Sequence, residues 1–208
     1  LSRLKEGDSI LDVAGPMGRH MEIDRVGRVV CVGGGVGVPA LYPKAKAFKE
    51  AGNYLISILG ARSEELLVLE KEMGALSNEL RITTDDGSRG RKGFVSDELQ
   101  ALLEAPNGGA DLVMAVGPIP MMASVAKTTK PFGVKTLVSL NPIMVDGTGM
   151  CGGCRVKLYD GMKFACVDGP DFDGHQVDFD DLINRLHRFT REEKVAVEKW
   201  TESCRARL

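Results

Sequence analysis

Arg28-Val-Val-Cys-Val-Gly-Gly-Gly-Val-Gly37 decides the architecture of this chain. The apolar run Arg28–Gly33 predicts a short strand. The glycines predict a tight turn into a helix over Val36–Ala51, in which Pro39 and Pro43 are tolerable only near the first turns. In an open parallel sheet, such a turn brings amides at a helix N-terminus to a pyrophosphate. Gly33, Gly34, Gly35, Val36 and Gly37 are therefore candidate nucleotide contacts. Their spacing is not the dinucleotide-binding G-x-G-x-x-G, and a glycine-rich turn alone is equally well only a turn.

Working outward, strands and helices alternate through residues 28–140. Tyr54–Leu59, Leu80–Thr84, Leu112–Val116 and Lys135–Leu140 read as further strands. Ser63–Met73, with Ser63 as N-cap, Ser96–Glu104 and Pro120–Lys130 read as helices. This alternation predicts an α/β fold with a parallel, doubly wound sheet and helices on both faces. Ligands of such sheets bind beyond the carboxyl ends of the strands. Small or polar residues follow each end here: Ala61 and Arg62, Asp85 and Asp86, then Gly117, Pro118 and Met121. Singly, Asp85 and Asp86 read as turn residues, and Met121 and Met122 as core. Together the loops predict one nucleotide crossing them.

Asp146-Gly-Thr-Gly-Met-Cys151-Gly-Gly-Cys154, followed by Cys166, is the second informative stretch. The plant-type iron–sulfur spacing is C-x4-C-x2-C with a later fourth cysteine. Cys151, Cys154 and Cys166 occupy its second, third and fourth places, and Asp146 stands at the first. This predicts a [2Fe–2S] site with three thiolates and one carboxylate. A structural zinc site is a rival, since Cys-x2-Cys with one further Cys and one Asp also suits a tetrahedron. Another uses Cys204 as fourth ligand and leaves Asp146 in a turn; a third is three reduced thiols without metal. Cys31, in Val29-Val-Cys-Val32, reads as core. Cys204 reads as an exposed thiol in a polar tail. His20, His175 and His187 are given no chemistry.

Composition narrows the function. The 208 residues carry 43% hydrophobic side chains and a formal net charge of −2, which argues against a nucleic-acid footprint. No apolar run is long enough to span a membrane. Clustered thiols in odd number suit a reducing, cytoplasmic setting. Residues 1–26 fall outside the alternation, with an apolar strand expected at Ser9–Val13. They read as the last part of a preceding β domain, and the opening at Leu1 suggests a fragment. Residues 27–140 form the α/β domain. Residues 141–208 form the cysteine module and a charged helix, or pair of helices, over Asp180–Lys199.

The glycine turn and the Gly117-Pro118…Met121 loop resemble the two nucleotide loops of the ferredoxin–NADP+ reductase superfamily, although Val116 stands where that family usually has cysteine. A C-terminal [2Fe–2S] module narrows the resemblance to electron-transfer subunits of type B dihydroorotate dehydrogenase and their relatives. Ser139–Arg155 and Phe164–Asp173 further resemble the small subunit of NADH-dependent reduced ferredoxin:NADP+ oxidoreductases, also called sulfide dehydrogenases. That family uses one Asp and three Cys, whereas the dihydroorotate relatives have Cys at the first position. The resemblance implies bound FAD and NAD(H) as well as the cluster. It implies a heterodimer with a larger glutamate-synthase-like flavoprotein and iron–sulfur subunit, through which ferredoxin is reached. Gly15, Pro16, Met17 and Gly18 resemble the segment closing the flavin site. The family's main flavin motifs, Arg-x-Tyr-Ser/Thr and Gly-x-x-Ser/Thr, are absent from these residues.

Overall fold

The computed structural model describes residues 4–205, with side chains through residue 203. Its centre is a seven-stranded sheet. In chain order the strands are β1 (Arg28–Gly34), β2 (Tyr54–Ala61), β3 (Glu79–Thr84), β4 (Arg91–Lys92), β5 (Leu112–Val116), β6 (Lys135–Ser139), β7 (Arg155–Leu158), β8 (Gly161–Phe164) and β9 (Asp171–Asp173). The large sheet runs β4-β3-β2-β1-β5-β6-β9, and β7 and β8 form a separate hairpin. All its pairs are parallel except β6 with β9.

The helices are α1 (Val38–Glu50), α2 (Glu70–Leu76), α3 (Val95–Glu104), α4 (Ile119–Thr129), α5 (Phe179–Leu186) and α6 (Thr190–Arg205). Along β1 the side chains alternate between faces. Val29 and Cys31 join a core with Leu41, Ala45 and Phe48 of α1 and Met73 of α2. Val30 and Val32 join the opposite core with Leu99 and Leu102 of α3 and Met122 and Val125 of α4. Complete burial of each such aliphatic side chain contributes roughly 1.5–3 kcal/mol. Cys31 is fully buried, as its apolar neighbours in sequence predict, and burial pushes its thiol up to about 12.

The second core continues past residue 140. It takes in Cys154, Val156, Ala165, Cys166, Phe172, Val177 and Leu182. β9 is hydrogen-bonded to β6, so the cysteine module shares both sheet and core with the α/β region. Among the described residues, no helix is long and apolar enough to cross a membrane.

Several expected elements differ. Ser9–Val13 forms no strand, and Leu11 and Val13 are largely exposed; among the described residues, no strand pairs with it. The first helix starts two residues late, after a 3-10 turn over Gly35–Gly37, and Pro43 lies inside it. The helix expected over Ser63–Met73 is broken. A 3-10 turn covers Glu64–Leu66, and Ser63 provides no side-chain cap. Leu67 is extended, Leu69 is left-handed at φ +56°, and α2 begins only at Glu70. β4 is an unforeseen edge strand. The C-terminal charged segment is a pair of helices, divided by a 3-10 turn at His187–Phe189.

Candidate functional site

The turn after β1 is shaped by contacts that exclude side chains. A β-carbon at Gly37 would lie 2.5 Å from the Val116 carbonyl oxygen and 2.7 Å from Gly117 Cα. One at Gly33 would lie 2.8 Å from Val38 Cγ2. The glycines thus let α1 approach the ends of β1 and β5 closely.

In front of this turn lies a cleft of about 790 Å³ beyond the carboxyl ends of β1, β2, β3 and β5. Gly34, Gly35, Val36, Ala61, Arg62, Asp85, Pro118 and Met121 line it. All four expected loops therefore converge. Gly33, Gly37 and Gly117 lie behind the lining and shape it from within. Asp86 points away into a turn. It accepts hydrogen bonds from Ser88 N at 3.0 Å and Ser88 Oγ at 2.6 Å, which hold its carboxyl below the usual range.

Sequence reading missed part of the wall. Glu65, Leu66 and Val68 come from the broken helix, Phe94 and Ser96 from the start of α3, and Ser124 from α4. A helical pattern broken at Leu67 carried no signal that these side chains would face a ligand. Thr83 also lines the cleft. Among the described residues, its Oγ1 is buried without a hydrogen-bond partner.

The second centre is the loop between β6 and β7 together with the turn after β8. Asp146 Oδ1 accepts from Thr148 N at 2.8 Å, and its Oδ2 accepts from Cys151 N at 3.0 Å. The Thr148 amide leads in holding this carboxyl below its ordinary range. Cys154 and Cys166 are buried with their sulfurs 3.2 Å apart and are not disulfide-bonded. The thiol–thiol contact, followed by burial, pushes Cys166 up. Gly153 N donates to Cys151 Sγ at 3.3 Å, and Cys166 N donates to Cys154 Sγ at 3.4 Å. Among the described residues, no three His, Cys, Asp or Glu side chains gather tightly enough for a single metal ion. The donors instead form two pairs, Asp146 with Cys151 and Cys154 with Cys166. The Cys204 side chain lies outside the described residues.

The segment Gly15–Gly18 lies against this loop. A β-carbon at Gly147 would sit 2.8 Å from both Met17 Sδ and Cε. Arg19 N donates to the Gly169 carbonyl at 2.7 Å, just beyond Cys166.

Residues 141–178 match the iron–sulfur cluster binding domain of dihydroorotate dehydrogenase B. The chain is 49% identical, over 98% of its length and 71% of the relative's, to a dihydroorotate dehydrogenase B (NAD(+)) electron transfer subunit homolog of Thermotoga maritima. It is 38% identical to the corresponding electron transfer subunit of Caldanaerobacter subterraneus subsp. tengcongensis, over 86% of this chain and 70% of that one. Among solved structures it superimposes on NADH-dependent reduced ferredoxin-NADP oxidoreductase, studied for flavin-based electron bifurcation. There the TM-score is 0.88 at 49% identity, with 96% of this chain and 71% of that chain covered. The expected ferredoxin–NADP+ reductase-like fold with an iron–sulfur module is thereby borne out.

Proposed function

The chain belongs to the family of dihydroorotate dehydrogenase B electron-transfer subunits and their homologues, and on that premise we propose that it carries electrons between NAD(H), FAD and a [2Fe–2S] cluster. The proposed destination is a larger, glutamate-synthase-like partner subunit of a cytoplasmic, electron-bifurcating ferredoxin:NADP+ oxidoreductase. The observation that carries this reading is the contact of Met17 with Gly147. It puts Met17, in the segment we propose closes the flavin site, against the loop bearing Asp146 and Cys151.

The residues present fit the cluster. Asp146, Cys151, Cys154 and Cys166 would hold it, and backbone amides already point at two of the sulfurs. When bound, the cluster supplies one-electron chemistry. Asp146 contributes an anionic oxygen in place of a thiolate. The nucleotide cleft also fits its group. Its lining combines glycines at the strand end, a cation at Arg62 and apolar surface at Val36 and Met121, and Thr83 Oγ1 offers an unused polar atom. Gly15, Pro16, Met17 and Gly18 would supply only part of a flavin site. FAD is proposed for this subunit on its family resemblance, and no step is assigned to these four residues alone.

EPR of anaerobically prepared, dithionite-reduced protein tests the reading, with Asp146→Ala beside wild type. A rhombic [2Fe–2S] signal altered by the substitution is expected. Zinc in place of iron and acid-labile sulfide would leave a nucleotide-binding module with a structural metal. A second reading, the dihydroorotate dehydrogenase electron-transfer subunit, is favoured by the family match over residues 141–178. Asp146 weighs against it. Copurification with a dihydroorotate dehydrogenase catalytic subunit, and NAD+ reduction by dihydroorotate, would establish that reading instead.

A further inference from the structure

Two guanidinium groups grip the short link between Cys151 and Cys154. Arg155, the first residue of β7, donates from Nη1 to the Gly152 carbonyl at 3.3 Å. Arg185, in the last turn of α5, donates from Nη2 to the Gly153 carbonyl at 3.0 Å. Both residues are half-buried. Among the described residues, neither has a carboxylate within ion-pair distance. Burial lowers the Arg185 pKa most. The Arg155 and Arg188 charges act in the same direction, and Asp181 and Cys154 oppose them. Like charges held together away from water raise the free energy of the fold unless a counter-charge completes them. Asp146, Cys151, Cys154 and Cys166 become four anionic donors when they ligate, so the missing counter-charge belongs to the loop itself.

Resting on the reading of that loop as a [2Fe–2S] site, we propose that the positive charges of Arg155 and Arg185 set how readily the cluster accepts its electron. Both act as positioning residues, through space and through the carbonyls they hold. One electron enters from a reduced donor, and one ferric iron becomes ferrous. No bond forms or breaks. No proton moves on these side chains, because arginine stays charged throughout. The negative charge of the centre grows by one, and two fixed cations favour that state.

Cluster-loaded protein isolated anaerobically is titrated with dithionite and followed by EPR. Wild type is compared with Arg185→Gln, Arg185→Lys and Arg155→Gln. Arg185→Gln keeps an amide donor for the Gly153 carbonyl but loses the charge; Arg185→Lys keeps the charge. At the wild-type midpoint, Arg185→Gln is expected to show a reduced-to-oxidised ratio about tenfold lower, a fall of about 59 mV for a one-electron couple. Arg155→Gln shifts in the same direction, and it decides the matter if Arg185→Gln fails to load. Arg185→Lys stays within about twofold of wild type. Equal shifts in the Gln and Lys variants would reduce Arg185 to a structural hydrogen bond and overturn the proposal. Unchanged potentials in both Gln variants would overturn it too. Wild-type protein without the iron signal would instead sink the [2Fe–2S] reading, and the inference with it.

Discussion

Lys44 and Asp171, 127 positions apart, form a largely buried ion pair that ties α1 to β9. Lys44 Nζ also donates to Ser139 Oγ at 3.2 Å. One side chain thus joins the helix behind the glycine turn to the strand that follows the cysteine loop. Leaving Asp171 buried without its partner should cost about 3 kcal/mol. Lys44→Met is therefore expected to lower the denaturant midpoint, and Lys44→Met/Asp171→Leu to recover most of the loss. A double variant no better than the single one would show that the pair does not act as a unit.

Gly37→Ala should be severely destabilising. The added β-carbon meets the backbone at Val116 and Gly117, which cannot rotate aside as a side chain does. A loss of about 2 kcal/mol or more is expected from such overpacking. Urea unfolding monitored by circular dichroism measures it, and a wild-type midpoint would contradict the close approach of α1 to β5.

Thr83→Val removes a hydroxyl that is buried without a partner among the described residues. The ligand-free protein is expected to gain about 1 kcal/mol, because the desolvation of that group is no longer unpaid. If Thr83 Oγ1 serves the nucleotide, the same variant binds NADH more weakly while unfolding later. Calorimetric titration and thermal denaturation on one preparation read both effects.

Asp178 caps α5. Its Oδ1 accepts from Asp181 N at 3.0 Å, and its Oδ2 accepts from Lys157 Nζ at 2.8 Å. The Asp181 amide leads in holding the carboxyl below its usual range, with Lys157 next. A depressed folded pKa stabilises the protein fully above the unfolded value, about 3.9. That contribution is lost as pH falls through the lower, folded value. Asp178→Ala should cost about 1 kcal/mol at neutral pH. The gap between variant and wild type should shrink in acid, below pH about 4, and a gap that stays constant there would refute the assignment.

The thiols should separate by accessibility. Cys151 is exposed, whereas Cys31 is fully buried and raised to about 12. In metal-free Cys204→Ser protein at pH about 8, iodoacetamide should modify Cys151 first, because thiolate and exposure both govern reactivity. Cys31 should react only after unfolding. Peptide mass mapping gives the order, and early modification of Cys31 would place it outside the core.

The sequence by itself determined the five central parallel strands. β1, β2 and β5 are short apolar runs, β3 and β6 alternate apolar with polar residues, and turns separate them, so local periodicity suffices to recognise such elements. It also marked Asp146, Cys151, Cys154 and Cys166, because ligand spacing within a loop is a property of the chain alone. Tertiary structure decided what that spacing could not. The helix expected from Ser63 breaks at Leu67, and Glu65, Leu66 and Val68 line the cleft. A break of this kind depends on the surface opposite, which no window of sequence contains. Ser9–Val13 has strand composition, but a strand exists only when another backbone completes its hydrogen bonds. The joining of β9 to β6, the grip of Arg185 on Gly153 and the contact of Met17 with Gly147 unite residues far apart in the chain. They form because packing around a shared core brings those residues together, and spacing along the chain carries no record of it.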